Sequence, residues 1–192
     1  MLDQSYATVI QMDSCEDSEY DLVQKAAHDP SAIGSLYRRY LDRVYRYLYA
    51  RVGNRAEAED LTSQVFLAVI ESLPCYRERG HFAAWLFSIA RRKAADYYRQ
   101  RKPQVALDEA FNLASTSGEP LAQAIQVEER ERLGKLIAGL REEERELLRL
   151  RFAAALSFDE IAVVCGRRQS AVKMSLYRLL ERIQGQMEAD HE

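Results

Sequence analysis

The sequence lacks the features of secreted, disulfide-rich and membrane-spanning proteins. Its three cysteines, Cys15, Cys75 and Cys165, are odd in number and far apart, which argues against a disulfide framework and against a Cys-x-x-Cys metal pair. No apolar run approaches the roughly 20 residues that a membrane-spanning helix needs. The first 21 residues are too acidic and too polar for a secretory signal. We therefore expect a cytoplasmic protein without membrane insertion.

Residues that commonly carry catalysis are also scarce. The chain has three histidines, and it has no clustered metal ligands, no glycine-rich phosphate loop and no nucleophile elbow. This composition argues against an enzyme. We expect no catalytic site, no metal and no cofactor.

What the sequence does contain is helical periodicity, with apolar residues at spacings of three and four and no convincing alternating strand. Asp29-Pro30 is typical of a helix start, and helices are predicted to stop at Pro74 and Pro103. Residues 104–120 lose the periodicity and gain Ser, Thr, Gly and Pro, as a linker does. We predict an all-α protein of two small helical domains joined by a flexible linker. The predicted boundaries are an acidic N-terminal extension at 1–20, a first domain at 21–102, the linker at 103–120, a second domain at 121–187 and an acidic tail at 188–192.

The formal net charge of −3 hides two basic islands. Residues 77–102 carry eight basic residues against two acids, and residues 166–187 carry five against one. Acidic stretches lie between the islands, at 103–165, and at the two ends of the sequence, at 1–30 and 188–192. Separated islands of this kind indicate two defined contacts with an anionic partner, for which nucleic acid is the natural candidate.

The first island coincides with a predicted helix that is rich in aromatic residues. Leu86 and Ile89 fall on a core stripe together with Phe82, Trp85 and Tyr97. Four residues are predicted to face outward on the other side: Phe87, Arg91, Tyr98 and Arg99. Rings stack on bases freed from a duplex and arginines follow phosphates, so this face suits single-stranded nucleic acid. A solvated basic face with incidental rings is the alternative. Asp96 is expected to form an ion pair within the helix.

The second island lies in a predicted helix-turn-helix at residues 156–183. Ser157 and Glu160 form a capping box before a short helix, Cys165-Gly166 makes a turn, and a longer helix follows. The longer helix is predicted to bury Val172, Leu176, Leu179 and Ile183. It is predicted to present Arg167, Arg168, Lys173, Met174, Tyr177 and Arg178. Such a helix fits the major groove of DNA. A plain helical hairpin is the alternative.

Four sequence motifs occur in a diagnostic order. They are "LYRRYLDRVYRYL" at 36–48, "AEDLTSQVFLAVI" at 58–70, "FAAWLFSIARRKAADYYRQR" at 82–101 and "LREEERELLRLRFAAALSFDEIAVVCGRRQSAVKMSLYRLLERI" at 140–183. Across nearly its whole length the chain resembles the extracytoplasmic-function (ECF) group of bacterial sigma-70 RNA polymerase sigma factors. The resemblance implies that the first domain, as sigma region 2, binds core polymerase and the minus-10 promoter element. It implies that the second domain, as region 4, binds the minus-35 element.

The same resemblance assigns residues to three surfaces. The polymerase-binding residues would be Asp60, Gln64, Leu67 and Glu71. The minus-10 residues would be Tyr76, Arg77, Arg79, Phe87, Arg91, Arg92, Tyr98 and Arg99. The minus-35 residues would be Arg167, Arg168, Lys173, Met174, Tyr177 and Arg178. The implied partners are core RNA polymerase, through the clamp of its beta-prime subunit and its beta flap, promoter DNA and an anti-sigma factor.

The motifs depart from the family pattern at three places. Ser63-Gln64 stands where the family usually has Gln-Glu, Arg92 stands where Asn commonly lines the pocket for a flipped base, and Met174-Ser175 replaces Ser-Arg.

The alternative function is a two-domain helix-turn-helix regulator of duplex DNA that does not bind polymerase. The polar face with Leu67 at its centre discriminates between the two, since only a polymerase-binding protein needs it.

Overall fold

The computed structural model describes residues 19–26, 29–76, 81–100 and 120–189, and the regular elements in these ranges are all helical. The prediction of an all-α fold is confirmed. All but the last residue of the predicted linker lies outside the described residues. The helices are α1 (Glu19–Ala26), α2 (Pro30–Val52), α3 (Arg55–Ser72), α4 (Phe82–Gln100), α5 (Pro120–Ala138), α6 (Glu142–Leu148), α7 (Phe158–Cys165) and α8 (Gln169–Ala189). A 3-10 turn, Leu73–Cys75, follows α3, and a π-helical turn, Arg149–Ala153, follows α6.

Local sequence signals determine where α2 begins and where it gives way to α3. The Asp29 carboxylate accepts hydrogen bonds from the Ser31 backbone N–H and hydroxyl, both at 2.8 Å, and so caps the start of α2. Gly53 ends α2 in the left-handed conformation, with φ of 71°, which glycine adopts without steric cost. The Asn54 side chain then accepts from the Glu57 N–H at 3.1 Å and caps α3. The helix start at Asp29-Pro30 was therefore predicted correctly.

The first domain, α1 to α4, is built around the long helix α2, which packs against the other three. Aromatic side chains fill much of its core. The Tyr47 and Phe87 rings meet edge to face with centroids 5.6 Å apart, and Tyr40 meets Phe82 at 5.5 Å. The largest fully buried side chains of this domain are Tyr40, Val44, Tyr47, Leu48, Val65, Leu86 and Phe87.

The second domain, α5 to α8, contains the predicted helix-turn-helix. Ser157 and Glu160 form the capping box of α7, with the Ser157 N–H donating to the Glu160 carboxylate at 2.7 Å. Gly166 makes the turn in the left-handed conformation, with φ of 63°. The four residues predicted to face inward on α8, Val172, Leu176, Leu179 and Ile183, are all buried. The helix-turn-helix prediction is confirmed in its capping, its turn and its core.

The two domains also pack directly against each other, which was not predicted from the sequence. Helix α2 contacts the π-helical turn, and α4 contacts α7.

The prediction that Phe87 faces outward is wrong, because its side chain has no exposed surface. Helix α4 packs against α2 and α3, and it also packs against α7. It therefore does not have one buried face and one exposed face, as the sequence pattern predicted.

Candidate nucleic-acid and protein interfaces

One stripe of α3 combines carboxylates with exposed apolar side chains. Asp60, Gln64, Leu67 and Glu71 follow one another at spacings of four, three and four, which aligns them on one face. The Gln64 side-chain N–H donates to the Asp60 carboxylate at 2.7 Å. Leu67 is 61% exposed. Ile70 was not predicted as part of this face, although it is also exposed and follows Leu67 by three residues, a spacing the sequence could have revealed.

An aromatic cluster lies at the start of α4. The Tyr76 ring is half-buried, with its centroid 4.6 Å from that of Trp85 and 5.6 Å from that of Phe82. Trp85 is itself only half-buried. Two rings are therefore held at the surface by a third that is buried. The adjacent Arg77 and Arg79 lie outside the described residues.

The remaining predicted minus-10 residues on α4 have different surroundings. Arg92 is exposed. Tyr98 is 43% exposed, and its hydroxyl donates to the backbone carbonyl of Arg51. Arg99 forms an ion pair with Asp96, as expected for that carboxylate. Arg92 is thus the basic residue of this helix best placed to meet a ligand, while Tyr98 and Arg99 are partly engaged within the fold.

Helix α8 presents the predicted contact residues to solvent. All six predicted minus-35 residues are exposed. The Lys173 ammonium lies 5.8 Å from the centre of the Tyr177 ring, which holds a cation beside an aromatic surface. One guanidinium N–H of Arg167 donates to the Ser175 hydroxyl at 2.8 Å. Met174, 53% exposed, completes a face that carries both base-reading and phosphate-binding chemistry.

A buried carboxylate lies where the two domains meet. Glu146 of α6 is 5% exposed. It accepts a hydrogen bond from the Tyr47 hydroxyl at 2.8 Å, and it pairs with Arg51 and, at 3.7 Å, with Arg149. Arg91 approaches the same carboxylate at 3.6 Å. Three guanidinium groups therefore compensate one buried negative charge.

This environment changes the titration of its members. Burial, followed by the charge of Glu146, raises the pKa of the Tyr47 hydroxyl, so it stays protonated and can donate. Burial acts to lower the pKa of Arg51, but Tyr47, Glu146 and Glu142 outweigh it and raise that pKa. Burial also raises the pKa of the nearby Cys165 thiol. The cluster thus contains a fixed cation, a neutral phenol and a protonated thiol at neutral pH.

Arginines also bind backbone carbonyl groups across the domain boundary. Arg43 of α2 donates to the carbonyls of Ala154, at 2.8 Å, and Ala155, at 3.1 Å. Ala155 has a φ of 51°, unusual for a residue with a side chain, and it follows the π-helical turn. In the opposite direction, Arg149 of the π-helical turn donates to the Ala50 carbonyl of α2 at 3.1 Å. Neither Arg43 nor Arg149 was predicted as functional, because their carbonyl partners lie about one hundred residues away in the chain.

A cleft of about 690 Å³ opens beside the buried carboxylate. It is lined by six arginines and four glutamates drawn from both domains.

Within residues 19–26, 29–76, 81–100 and 120–189, no group of His, Cys, Asp or Glu is arranged to hold a metal ion. Across the same ranges, no helix has the length and apolar character needed to span a membrane.

Comparison with known proteins gives consistent matches to both domains. The family model described as Sigma-70 region 2 matches residues 36–104, and that described as Sigma-70, region 4 matches residues 130–183. The chain is 35% identical over 162 residues to the ECF RNA polymerase sigma factor BldN of Streptomyces coelicolor, covering 82% of this chain and 61% of BldN. It is 32% identical over 178 residues to the ECF RNA polymerase sigma factor SigD of Mycobacterium tuberculosis, covering 88% of this chain and 82% of SigD.

The fold is also similar to a solved structure. CnrH, in a complex with the cytosolic domain of CnrY, matches with a TM-score of 0.67 and 23% sequence identity. The match covers 91% of this chain and 99% of CnrH. At this level of identity the likeness concerns the fold.

Proposed function

Because the chain belongs to the ECF group of sigma-70 RNA polymerase sigma factors, we propose that it binds core polymerase through the α3 stripe and promoter DNA through α4 and α8. The family acts in transcription initiation. A protein with this role works where the polymerase is, so we also propose that it resides in the cytoplasm.

The observation that carries the polymerase contact is the exposure of Leu67. An apolar side chain 61% exposed between Asp60, Gln64 and Glu71 gains nothing from water. Burial against a partner would remove apolar surface from water, at about 25 cal/mol per Å², while the carboxylates at the rim select a basic partner. Ile70, 44% exposed, widens the same apolar spot. These features support a protein partner for α3, and we infer that it is the clamp of the beta-prime subunit.

The aromatic cluster at the start of α4 supports a role in binding melted DNA. Bases leave the stack when a promoter opens, and an exposed ring offers each freed base a stacking surface worth about 1 to 3 kcal/mol. Tyr76 and Trp85 provide such rings, and Arg92 provides a cation nearby on the same helix. We propose that these residues, with Arg77 and Arg79, bind the non-template strand at the minus-10 element.

Helix α8 supports a separate contact with duplex DNA. Lys173, Met174 and Tyr177 are exposed on its first turns, where a recognition helix reads base edges. Arg178 lies further along, and Arg167 and Arg168 precede the helix, which suits phosphate contacts. We propose that this surface binds the minus-35 element, and that the same domain contacts the beta flap.

An anti-sigma factor is the remaining proposed partner. CnrH, whose fold this chain shares, was solved with the cytosolic domain of CnrY bound to it. A protein inhibitor that covered the α3 stripe or the α8 face would block one of the proposed partner contacts.

Run-off transcription tests the proposal as a whole. Purified core polymerase is mixed with this protein and fragmented genomic DNA, and the transcripts are sequenced. We expect a small set of start sites that share upstream sequences at the minus-10 and minus-35 positions and that are absent with core polymerase alone. Start sites unchanged by the protein would contradict the proposal.

A further inference from the structure

An aromatic side chain at the start of the helix-turn-helix contacts the proposed reading face of α8. Phe158 is the first residue of α7, and its ring centroid is 6.2 Å from that of Tyr177, with the two planes inclined at 46°. This separation lies within the range of favourable aromatic pairs. Phe158 belongs to none of the three predicted contact surfaces, yet it touches a residue of the minus-35 surface.

The two rings are the centre of a row of four side chains. The Arg151 guanidinium lies 4.8 Å from the centre of the Phe158 ring, and the Lys173 ammonium lies 5.8 Å from the centre of the Tyr177 ring. Both distances allow attraction between a cation and an aromatic ring. The row connects the π-helical turn to α7 and α8.

The Phe158 end of this row has a defined position. Ser157, the preceding residue, forms the capping box of α7 with Glu160. Arg151 donates to the Leu156 carbonyl at 2.8 Å, which holds its guanidinium group beside the same turn. Phe158 itself is half-buried and packs against buried core residues. Its ring is therefore a fixed support for whatever packs against it.

The Tyr177 end of the row is exposed. Tyr177 is 48% exposed, and Lys173, one helical turn before it, is also exposed. A long side chain on a helix points toward the helix N-terminus, so the Tyr177 ring leans over the turn that carries Lys173. An exposed side chain loses rotational freedom when it binds a partner, and a neighbouring ring that already restricts it removes part of that cost. The contact with Phe158 therefore prepares Tyr177 and Lys173 for binding.

We propose that Phe158 is a positioning residue for recognition of the minus-35 element. Its ring holds the Tyr177 ring, and with it the Lys173 ammonium, in the orientation that contacts base edges. The inference rests on the proposed function, because this orientation matters only if α8 binds duplex DNA. Loss of the Phe158 ring should change which bases are preferred and leave the phosphate contacts as they are.

Selection of promoters by the holoenzyme tests this role. The full-length protein is assembled with core polymerase and mixed with a duplex library randomised at the minus-35 positions, and the bound DNA is sequenced. Phe158→Ala removes the ring, and Phe158→Leu removes the ring but keeps apolar bulk, which favours a folded protein. Phe158→Tyr keeps the ring. Val163→Ala, at an exposed apolar residue of the same helix, is the matched control.

The variants without the Phe158 ring should relax base preference at the minus-35 positions that Tyr177→Ala also relaxes. An aromatic pair contributes about two- to tenfold in an equilibrium constant, so we expect the preference to fall by about that factor. The salt dependence of binding should stay the same, since no phosphate contact is lost. Phe158→Tyr and Val163→Ala should select the same sequences as the wild type.

A double variant, Phe158→Ala with Tyr177→Ala, shows whether Phe158 acts through Tyr177. If it does, the double variant should have the preference of Tyr177→Ala alone, because the second substitution has no contact left to remove. Effects of the two substitutions that add would mean that they act independently.

A measurement without DNA or polymerase tests the ring contact itself. Fluorotyrosine is incorporated at position 177 of the full-length chain, and its fluorine resonance reports the neighbouring ring. The resonance should shift in Phe158→Ala and Phe158→Leu and stay unchanged in Val163→Ala. Circular dichroism identifies a variant that has unfolded.

The outcomes separate the positioning role from the proposed function. Folded variants without the Phe158 ring that select wild-type sequences, that weaken binding to all sequences alike, or that leave the fluorine resonance unchanged would overturn the positioning role. Additive effects in the double variant would overturn it as well. Selected sequences unchanged by Tyr177→Ala would overturn the proposed reading by Tyr177 and the positioning role with it, while the resonance would still report the ring contact.

Discussion

Arg91 of α4 donates a hydrogen bond to the carbonyl oxygen of Val164 on α7, across the boundary between the two domains. This single contact links a residue predicted to bind one promoter element to the motif that would bind the other. Helices α4 and α7 therefore contact each other across the domain boundary.

Replacing Phe87 should destabilise the first domain. Its ring is fully buried against Tyr47, so Phe87→Ala leaves a cavity and should lower the free energy of unfolding by about 3 to 5 kcal/mol. Tyr98→Ala, at a ring that is 43% exposed on the same helix, should have a smaller effect. Urea denaturation followed by circular dichroism measures both. Equal, small losses would mean that Phe87 is not part of the core.

Acid should weaken the second domain and its contact with the first. Burial acts to raise the pKa of Glu142, but Arg149, Arg51 and Arg145 outweigh it and lower that pKa below its usual 4.5. A carboxyl with a lowered pKa contributes stability that is present above about pH 4.5 and is lost as the pH falls through the lowered value. Melting temperatures measured from pH 7 to pH 3 should therefore fall.

Glu142→Gln is the control for this titration, because its amide does not ionise. The variant should melt at a lower temperature than the wild type at pH 7, and the difference should shrink as the pH falls below 4.5. A difference that is constant across the range would show that Glu142 does not contribute through its charge.

Lys173 and Arg178 should differ in the kind of DNA contact that they make. Lys173→Ala should relax preference at one or two minus-35 positions, at a cost of about 1 to 3 kcal/mol, because a base-edge contact discriminates between bases. Arg178→Ala should weaken binding to all sequences alike and reduce the salt slope by about one unit, because phosphates carry no sequence information.

Binding of both variants to a randomised minus-35 library at several salt concentrations measures these effects. The wild type, in which Lys173 and Arg178 are both exposed, is the reference for each. Unchanged selected sequences and unchanged salt slopes in both variants would mean that α8 is not the reader.

Tyr76 and Arg92 should matter for promoter melting more than for polymerase binding. If Tyr76 stacks on a freed base, Tyr76→Ala should reduce open-complex formation about tenfold or more, since stacking is worth about 1 to 3 kcal/mol per base. Arg92→Ala should act in the same direction. Permanganate footprinting detects the melted bases, and a duplex premelted at the minus-10 element is the control template. Small, equal losses on both templates would contradict a base-binding role.

The features predictable from the sequence were those with local causes. The capping box of Ser157 and Glu160 and the turn at Gly166 involve neighbours in the chain, so a short stretch of sequence specifies them. The prediction of which α8 residues face inward was correct because that helix buries only one face. The helix start at Asp29 was predicted correctly because the Asp29 carboxylate accepts a hydrogen bond from the Ser31 N–H, only two residues along the chain.

The features that could not be predicted depend on a partner far away in the chain. Phe87 was predicted to face outward because helical periodicity identifies a single buried face. Helix α4 instead packs against α2 and α3 and also against α7. Glu146 resembles any acid of an exposed helix until Tyr47 and Arg51, almost one hundred residues earlier, surround it. A contact at that separation leaves no periodic signal. Ile70 is different, because its spacing of three residues from Leu67 could have placed it on the same exposed side of α3 from the sequence alone.

The central claim is that the α3 stripe binds core polymerase, and co-purification of core polymerase with an Asp60→Arg, Leu67→Arg double variant tests it most directly. Asp42→Arg, an exposed charge reversal on α2, is the matched control, and circular dichroism monitors the fold of each protein. The double variant places two cations where the partner is expected to be basic, and it removes the exposed leucine. We predict that it stays folded and loses core polymerase, while Asp42→Arg retains it. A folded double variant that still binds core polymerase as well as the wild type would contradict the account.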